Sequence, residues 1–202
     1  MSIIVEISME LFRFNHYVAY ALLFSPVNDP GQIKKRIIDA ARATGSEGEE
    51  EREAVNFSFI DASLITSRLH LETAIHQAII AESQGSLRTK TVHSEILFGL
   101  NPTNNITEAI RRYGVSETSK ALLVVRIMDS SNPIPNLETK MKEVVNGIAV
   151  PFEELSKVTD WEKIKKYHKL PNEVTEKADL ARARALIDNV AISSVAMKSV
   201  VQ

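Results

Sequence analysis

An almost uninterrupted apolar run limits most strongly how this chain can fold. It reads ALLVVRI at residues 121–127, and Arg126 is its only polar residue. The run therefore lacks the alternation of polar and apolar residues that marks a strand with one face in water. A strand that is apolar on both faces needs cover on both faces. We predict an α/β (α+β) fold in which this strand lies inside a central mixed or antiparallel sheet flanked by helices.

The other strands and helices are predicted from residue type and spacing. Further strands are expected at residues 17–24, 56–60 and 148–150, and the first of them is closed by Ser25-Pro26. Apolar residues at helical spacing predict helices over residues 30–43, 67–83, 137–145, 152–158 and 161–168. A chain of 202 residues can form one full core, so we predict a single domain over residues 1–202.

Residues 92–115 combine several local signals. The apolar run EILF at residues 95–98 predicts a strand, and a loop and a short amphipathic helix follow it. We expect Asn105 to cap that helix, Glu108 to complete a capping box, and Gly114 to end the helix in the left-handed conformation. The N–H groups at such a helix start would suit an anion or a polar group of a partner.

Composition excludes several classes of protein and of site. The absence of cysteine rules out disulfides, a thiolate nucleophile and zinc sites that need sulfur. A formal net charge of −2 argues against a protein that coats nucleic acid non-specifically. Any contact with nucleic acid must therefore come from a local basic patch. The segment GSEGEEEREA at residues 45–54 is predicted to be a solvated acidic loop. Residues 1–14 carry Glu6, Glu10 and Arg13, and we expect neither a signal peptide nor a membrane-spanning helix.

The chain is expected to end on a long helix over residues 173–200, and this helix is apolar on two sides. One face would carry Ala183, Leu186, Ile187, Val190, Ala191 and Met197. Ile192 would lie nearly opposite, with Ala185, Val195 and Ala196 beside it. Such a helix is either buried inside the domain, or packed on its own core by one face and on a partner by the other. The pattern leaves both interpretations open.

No catalytic constellation is predicted. None of the five histidines has a second histidine four residues away, and the sequence contains no GxSxG, P-loop or GxGxxG motif. We expect no metal, no cofactor and no catalysis by this chain. The alternative is a stand-alone small-molecule enzyme that uses the asparagine-rich helix start as an anion site.

Basic and amide side chains around residues 92–115 allow two interpretations. The basic residues are Arg88, Lys90, Arg111 and Arg112. They are either solvent-facing charges or a phosphate-binding edge, with Tyr113 as a stacking surface. The amides are Asn101, Asn104 and Asn105. They are either turn and cap residues or groups that recognise a partner's backbone.

Two runs carry a resemblance to a known family. They are LRTKTVHSEILF at residues 87–98 and NPTNNITEAIRRYGV at residues 101–115. Both closely resemble the signature of the small kinase-binding subunit of the KEOPS/EKC complex, the CGI/TPRKB family. The order and spacing of LLF at 22–24, IDA at 60–62, LLVVRI at 122–127 and RALID at 184–188 extend the resemblance over about residues 17–195.

The resemblance implies a non-catalytic subunit that binds the N-lobe of the complex's atypical kinase/ATPase, in the nucleus and the cytoplasm. It also implies that the subunit helps recruit tRNA, through the 3′ CCA end, for threonylcarbamoyladenosine modification beside the anticodon, and a link to telomere maintenance. Carried onto this chain, the kinase surface would combine Ile106, Ala109, Ile110, Leu186, Ile187 and Val190. The tRNA contact would fall on Arg88, Lys90, Arg111 and Arg112.

Two features depart from the family pattern. The family often reads Met-Lys-Thr-Arg where this chain reads Leu-Arg-Thr-Lys at residues 87–90. The charge survives, but the exchange puts a bidentate arginine contact in doubt. Residues 45–54 form a longer acidic segment than in compact members, and no function is assigned to it.

Overall fold

A computed structural model describes residues 9–171 and 180–200, and its centre is an open, antiparallel, five-stranded sheet. The strands are β1 Glu10–Phe14, β2 Tyr17–Val27, β3 Ser58–Asp61, β4 Leu122–Asp129 and β5 Gly147–Val150. Their order is β1-β2-β4-β3, and β5 also pairs with β2. The helices are α1 Pro30–Arg42, α2 Gly45–Ala54, α3 Arg68–Ser83, α4 Val92–Leu100, α5 Ile106–Tyr113, α6 Leu137–Val144, α7 Leu155–Val158, α8 Trp161–Tyr167 and α9 Leu180–Ala196.

Strand β4 is the central strand that its apolar run predicts. It pairs with β2 on one side and with β3 on the other, antiparallel in both cases. Its alternate side chains enter two separate hydrophobic clusters. Leu123 and Val125 join the cluster that contains α3, α4 and α9, whereas Leu122 and Val124 join the cluster that contains α1 and α6. The predicted sheet with helices on both faces is therefore confirmed, and the sheet is antiparallel.

Strand β2 is longer than predicted. It continues through Ser25-Pro26 to Val27, although a proline was expected to close it. The extension pairs with β5, and the register shifts between Phe24 and Val27. Proline is tolerated at such an irregularity because no ladder hydrogen bond needs its missing N–H.

The acidic segment at 45–54 is the helix α2, so its prediction as a loop is wrong. Two glutamates of this helix form ion pairs with basic residues of neighbouring elements: Glu51 with Arg36 at 2.6 Å, and Glu53 with Arg126 at 2.6 Å. Gly48 lets the helix approach the preceding turn closely, since a Cβ there would lie 2.7 Å from the carbonyl carbon of Ala43. A helix that is polar all round gives no apolar stripe, and these long-range pairs are not visible in sequence.

The predicted strand at 95–98 is also wrong, because these residues lie within α4. Thr91 caps this helix, with its hydroxyl accepting a 3.1 Å hydrogen bond from the N–H of Ser94. The Ser94 hydroxyl reaches back to the Thr91 N–H at 3.3 Å, which completes a capping box. Most of α4 is buried, so its short apolar run has no periodicity that separates helix from strand.

The C-terminal helix α9 is buried on one face only. Its buried residues are Ala183, Ile187, Ala191 and Val195. Leu186 and Met197 are about half exposed, so the interpretation of a fully buried helix is wrong. The predicted residues 173–179 lie outside the described part of the chain. Among the residues that the structure describes, no helix combines the length and the apolar character needed to cross a membrane.

Candidate functional site

Helix α4 is the element on which the predicted site residues converge. It packs against α3, α5 and α9, and its inner side meets β3 and β4. The basic tract 88–90 lies directly before its N-terminus, and the asparagine-rich loop 101–105 lies directly after its C-terminus. Nine helical residues span about 13 Å at about 1.5 Å per residue. The basic tract and the asparagine loop therefore sit at opposite ends of one short helix.

The start of α5 is capped as predicted, but its capping box is absent. The side chain of Asn105 accepts a 2.9 Å hydrogen bond from the N–H of Glu108. The Glu108 carboxylate turns away from Asn105, accepting a hydrogen bond from the Thr103 hydroxyl and pairing with Arg112 at 2.7 Å. The Thr103 hydrogen bond, with smaller contributions from Asn101 and Arg112, lowers the pKa of Glu108. Glu108 thus links Thr103 of the loop to Arg112 of α5 and holds the loop in place.

Gly114 ends α5, but it is not left-handed as predicted. Its φ is −78°, which any residue can adopt. Glycine is required here for close approach, since a Cβ would lie 2.5 Å from the carbonyl oxygen of Ile110 and 3.6 Å from Leu97. The turn after α5 can therefore pack against α4 and pair with Ile60 of β3.

The three asparagines divide by burial. Asn101 is fully buried, and its amide donates to the Thr103 carbonyl at 3.1 Å and to the Thr103 hydroxyl at 2.8 Å. Asn104 and Asn105 are exposed. Asn101 therefore shapes the loop, and the other two lie on the surface.

Arg111 and Arg112 also differ in burial. Arg111 is exposed, while Arg112 is half-buried against α8. The Arg112 guanidinium lies 4.4 Å from the ring centroid of Tyr167 and also reaches Asn101. Tyr113 is fully buried, so the prediction of an exposed stacking surface at this residue is wrong. Burial also raises the pKa of Tyr113.

The predicted apolar contact residues also divide into surface and core. Ile106 is 38% exposed, Ile110 is 49% exposed and Leu186 is 48% exposed. Val190 is half-buried, whereas Ala109 and Ile187 are fully buried in this chain. The first four side chains are therefore accessible to solvent, whereas Ala109 and Ile187 pack in the core.

Lys198 was not predicted, and it ties the chain's C-terminal end to the asparagine loop. Its ammonium donates to the carbonyl oxygens of Phe98 at 2.6 Å, of Thr103 at 2.9 Å and of Asn101. The last carbonyls of a helix have no partner inside the helix, so this lysine caps α4. Burial lowers the pKa of Lys198 to about 8, and the Glu95 carboxylate acts in the opposite direction. Only one feature of the sequence points to such a residue: the free carbonyl groups at the end of α4, near residue 100, need a hydrogen-bond donor.

His93 and His70 are buried structural groups. His93 Nε2 accepts a 2.9 Å hydrogen bond from the N–H of Ile127, and Nδ1 lies 2.9 Å from Asn56 Oδ1. Because a backbone N–H can only donate, His93 carries its proton on Nδ1. Burial lowers the pKa of each histidine to about 3. Within residues 9–171 and 180–200, no group of three or more His, Cys, Asp or Glu side chains could hold a metal ion.

A groove of about 450 Å³ lies between α8 and the start of α9, lined in part by Trp161, Leu180 and Arg184. None of its lining residues belongs to the loop 101–105. This pocket is therefore separate from the helix start that the enzyme alternative would use.

Comparison with known proteins gives consistent results. The family described as “Kinase binding protein CGI-121” matches residues 24–199. The chain is 36% identical over 204 residues to the EKC/KEOPS complex subunit cgi121 of Neurospora crassa, covering 91% of this chain and 93% of the relative. It is 33% identical over 210 residues to the EKC/KEOPS complex subunit CGI121 of Cryptococcus neoformans, covering 86% and 91%. It is 29% identical over 192 residues to the subunit of the same name from Yarrowia lipolytica, covering 94% and 98%.

Proposed function

Because the chain belongs to the CGI-121 family of kinase-binding proteins, we propose that it is the kinase-binding subunit of an EKC/KEOPS complex. The match over most of the chain is the observation that carries this proposal. The kinase surface consists of Ile106 and Ile110 on α5 and of Leu186 and Val190 on α9. Burial of apolar surface is worth about 25 cal/mol per Å², so these side chains favour a protein partner over water.

Ala109 and Ile187 support this surface from the core side. Both are fully buried, and each belongs to the same helix as two of the solvent-accessible contact residues. The two helices also share α4 as a neighbour. The kinase therefore meets side chains on a packed scaffold, which lowers the conformational entropy lost on binding.

We also propose that the chain contributes to tRNA binding. Arg88, Lys90 and Arg111 are exposed, and they offer cations to a phosphate backbone. Arg112 contributes by holding the loop through Glu108 and Tyr167. We infer that this surface helps bring the 3′ CCA end of tRNA to the complex for threonylcarbamoyladenosine formation, with telomere effects following from the same complex. We place the subunit in the nucleus and the cytoplasm, and imaging of a fluorescent fusion tests this location.

The enzyme alternative is disfavoured by the charge at the start of α5. Glu108 lies in the first turn, and its carboxylate already accepts the Thr103 hydroxyl and pairs with Arg112. An anionic substrate at this helix start would therefore meet a carboxylate. We propose that the chain supplies binding surfaces while another subunit carries out the chemistry.

Two measurements test the proposal. Co-expression with the kinase of the same organism, followed by size exclusion and mass measurement, should give a stable complex. Binding of a tRNA transcript should weaken as salt increases and fall when the CCA end is trimmed. Independent elution of the two proteins would contradict the kinase role, and equal affinity for trimmed and intact tRNA would remove end recognition.

A further inference from the structure

The structure assigns a role to Glu95 that rests on the proposed RNA function: we propose that Glu95 positions the basic tract for a phosphodiester backbone. Glu95 lies in α4, and it is only 6% exposed. It makes no direct contact with RNA in this proposal. It acts through residues 88–90, which fold around its carboxylate.

One oxygen of Glu95 organises the tract. Oε2 accepts hydrogen bonds from the N–H of Arg88 at 3.0 Å, from the N–H of Thr89 at 2.8 Å and from the Thr89 hydroxyl at 2.6 Å. The Thr89 hydroxyl also lies 3.0 Å from the Thr91 carbonyl oxygen. Thr89 is thereby held inward, while its neighbours Arg88 and Lys90 are both exposed. The arrangement turns two cations to the solvent from one anchored loop.

The buried charge also lowers the cost of placing these cations together. Arg88 and Lys90 are two residues apart and repel each other, and a carboxylate beneath them offsets part of that repulsion. Glu95 in turn receives charge compensation from three donors and lies within electrostatic range of Lys198. A buried carboxylate with this many donors is well stabilised.

The same geometry defines the class of ligand. Successive backbone N–H groups often form an anion-binding nest, but here the N–H groups of Arg88 and Thr89 are already occupied by Glu95. These two N–H groups are therefore not free to bind a phosphate, and the exposed side chains of Arg88 and Lys90 supply the positive charge of the tract. Two exposed cations two residues apart on this bent tract can each pair with a phosphate, so they fit a polyanion with repeated phosphates better than a single phosphate monoester. Inorganic phosphate should therefore compete poorly with tRNA.

Glu95→Gln tests the positioning role, because it keeps the side-chain size and removes the charge. Binding of unmodified tRNA by the full-length chain is measured by fluorescence anisotropy at several salt concentrations. The double variant R88A/K90A defines the full effect, and Lys140→Ala on α6 is the control for loss of an exposed cation elsewhere. R88A/K90A should reduce the slope of log K against log salt by about two, and K140A should leave it unchanged.

E95Q should weaken tRNA binding about fivefold or more and reduce the salt slope by about one, with an unchanged circular dichroism spectrum. The amides of Arg88 and Thr89 should exchange faster in hydrogen-exchange measurements. Thr89→Val removes one of the three hydrogen bonds to Glu95. It should weaken tRNA binding and reduce the salt slope by less than E95Q does, which provides a second test if E95Q does not fold.

The outcomes separate this inference from the function on which it rests. If the wild-type chain binds tRNA and R88A/K90A weakens it, but E95Q and T89V keep the wild-type affinity and slope, the positioning role is overturned. If R88A/K90A binds tRNA as tightly as the wild type does, the basic tract is not the RNA surface. The assignment of Arg88 and Lys90 to tRNA binding and the positioning role of Glu95 are then both refuted. If the wild-type chain binds no tRNA, alone or with the kinase, the RNA function itself is refuted.

Discussion

Replacing His93 should change both the stability of the fold and its dependence on pH. His93 lies in α4, and its ring joins two elements: Nε2 accepts from the N–H of Ile127 in β4, and Nδ1 donates to Asn56 before β3. In His93→Leu, the Ile127 N–H and the side-chain amide oxygen of Asn56 lose this partner. Leaving a buried polar group unpaired costs about 1–3 kcal/mol. We expect the free energy of unfolding at pH 7 to fall by about 2–4 kcal/mol.

The pH dependence follows from the lowered pKa. Burial, with a contribution from Arg126, lowers the pKa of His93 from 6.5 to about 3. The unfolded chain therefore takes up a proton at a higher pH than the folded chain does. The stabilisation is fully present above about pH 6.5 and is lost as the pH falls toward about 3. Within that window His93 lowers the free energy of unfolding by up to about 1.4 kcal/mol per pH unit.

Urea unfolding followed by circular dichroism between pH 4 and 8 tests this reasoning. The difference between wild type and H93L should be constant above pH 7 and should shrink as the pH falls below 6. His93→Gln keeps an amide donor and acceptor without titrating, so it should recover part of the stability at pH 7 and show the same flatter pH dependence as H93L. A difference between wild type and H93L that stays constant from pH 8 to pH 4 would refute the assignment.

Further predictions concern the loop between α4 and α5, the glycine within α4 and the glycine that ends α5. Lys198→Met leaves the carbonyls of Phe98, Asn101 and Thr103 without their charged donor, so it should lower the free energy of unfolding by about 1–3 kcal/mol and accelerate amide exchange in the loop 101–105. Unchanged exchange in that loop would contradict the capping role. Gly114→Ala should destabilise by about 1–3 kcal/mol because its Cβ would meet the Ile110 carbonyl. Gly99→Ala, where a Cβ meets no atom within 4 Å, should be neutral or stabilising by up to about 1 kcal/mol. Equal melting temperatures for the two alanine variants would show that close approach does not explain Gly114.

Local patterns in the sequence predict elements whose signal is strong and continuous. The run at 121–127 predicts a central strand, and β4 is buried between β2 and β3. Asn105 is an N-cap as expected from its residue type and position. The family signature at 87–115 points to the kinase-binding family that the comparisons show.

Elements fixed by long-range contacts are not predicted. The acidic helix α2 is held in part by Arg36 and Arg126, which are 15 and 73 residues away from their partners. The apolar run at 95–98 could be helix or strand until α3 and the sheet cover it. Strand β1 is also missed, because the short run at residues 10–14 becomes a strand by pairing with β2.

The same limit applies to the candidate site. Helical spacing places Ala109 and Ile187 beside exposed contact residues, but it cannot tell which way each helix faces, and both are buried. Glu95 and Lys198 are missed because most of their hydrogen-bond partners are backbone groups, which every residue carries. Residue type alone therefore identified the basic tract but not the carboxylate that holds it.

Kinase binding by surface variants tests the central claim most directly. The variants are Ile110→Glu on α5 and Leu186→Glu on α9, with Ile148→Glu on β5 as the matched control, since Ile148 is an apolar side chain that is 59% exposed. A carboxylate buried without a partner in an interface costs several kcal/mol, and about 1.4 kcal/mol corresponds to a tenfold loss of affinity. Each protein is co-expressed with the kinase and analysed by size exclusion with mass measurement. Wild type and I148E should elute with the kinase, whereas I110E and L186E should elute separately with unchanged circular dichroism spectra. Co-elution of both folded variants with the kinase would contradict the account.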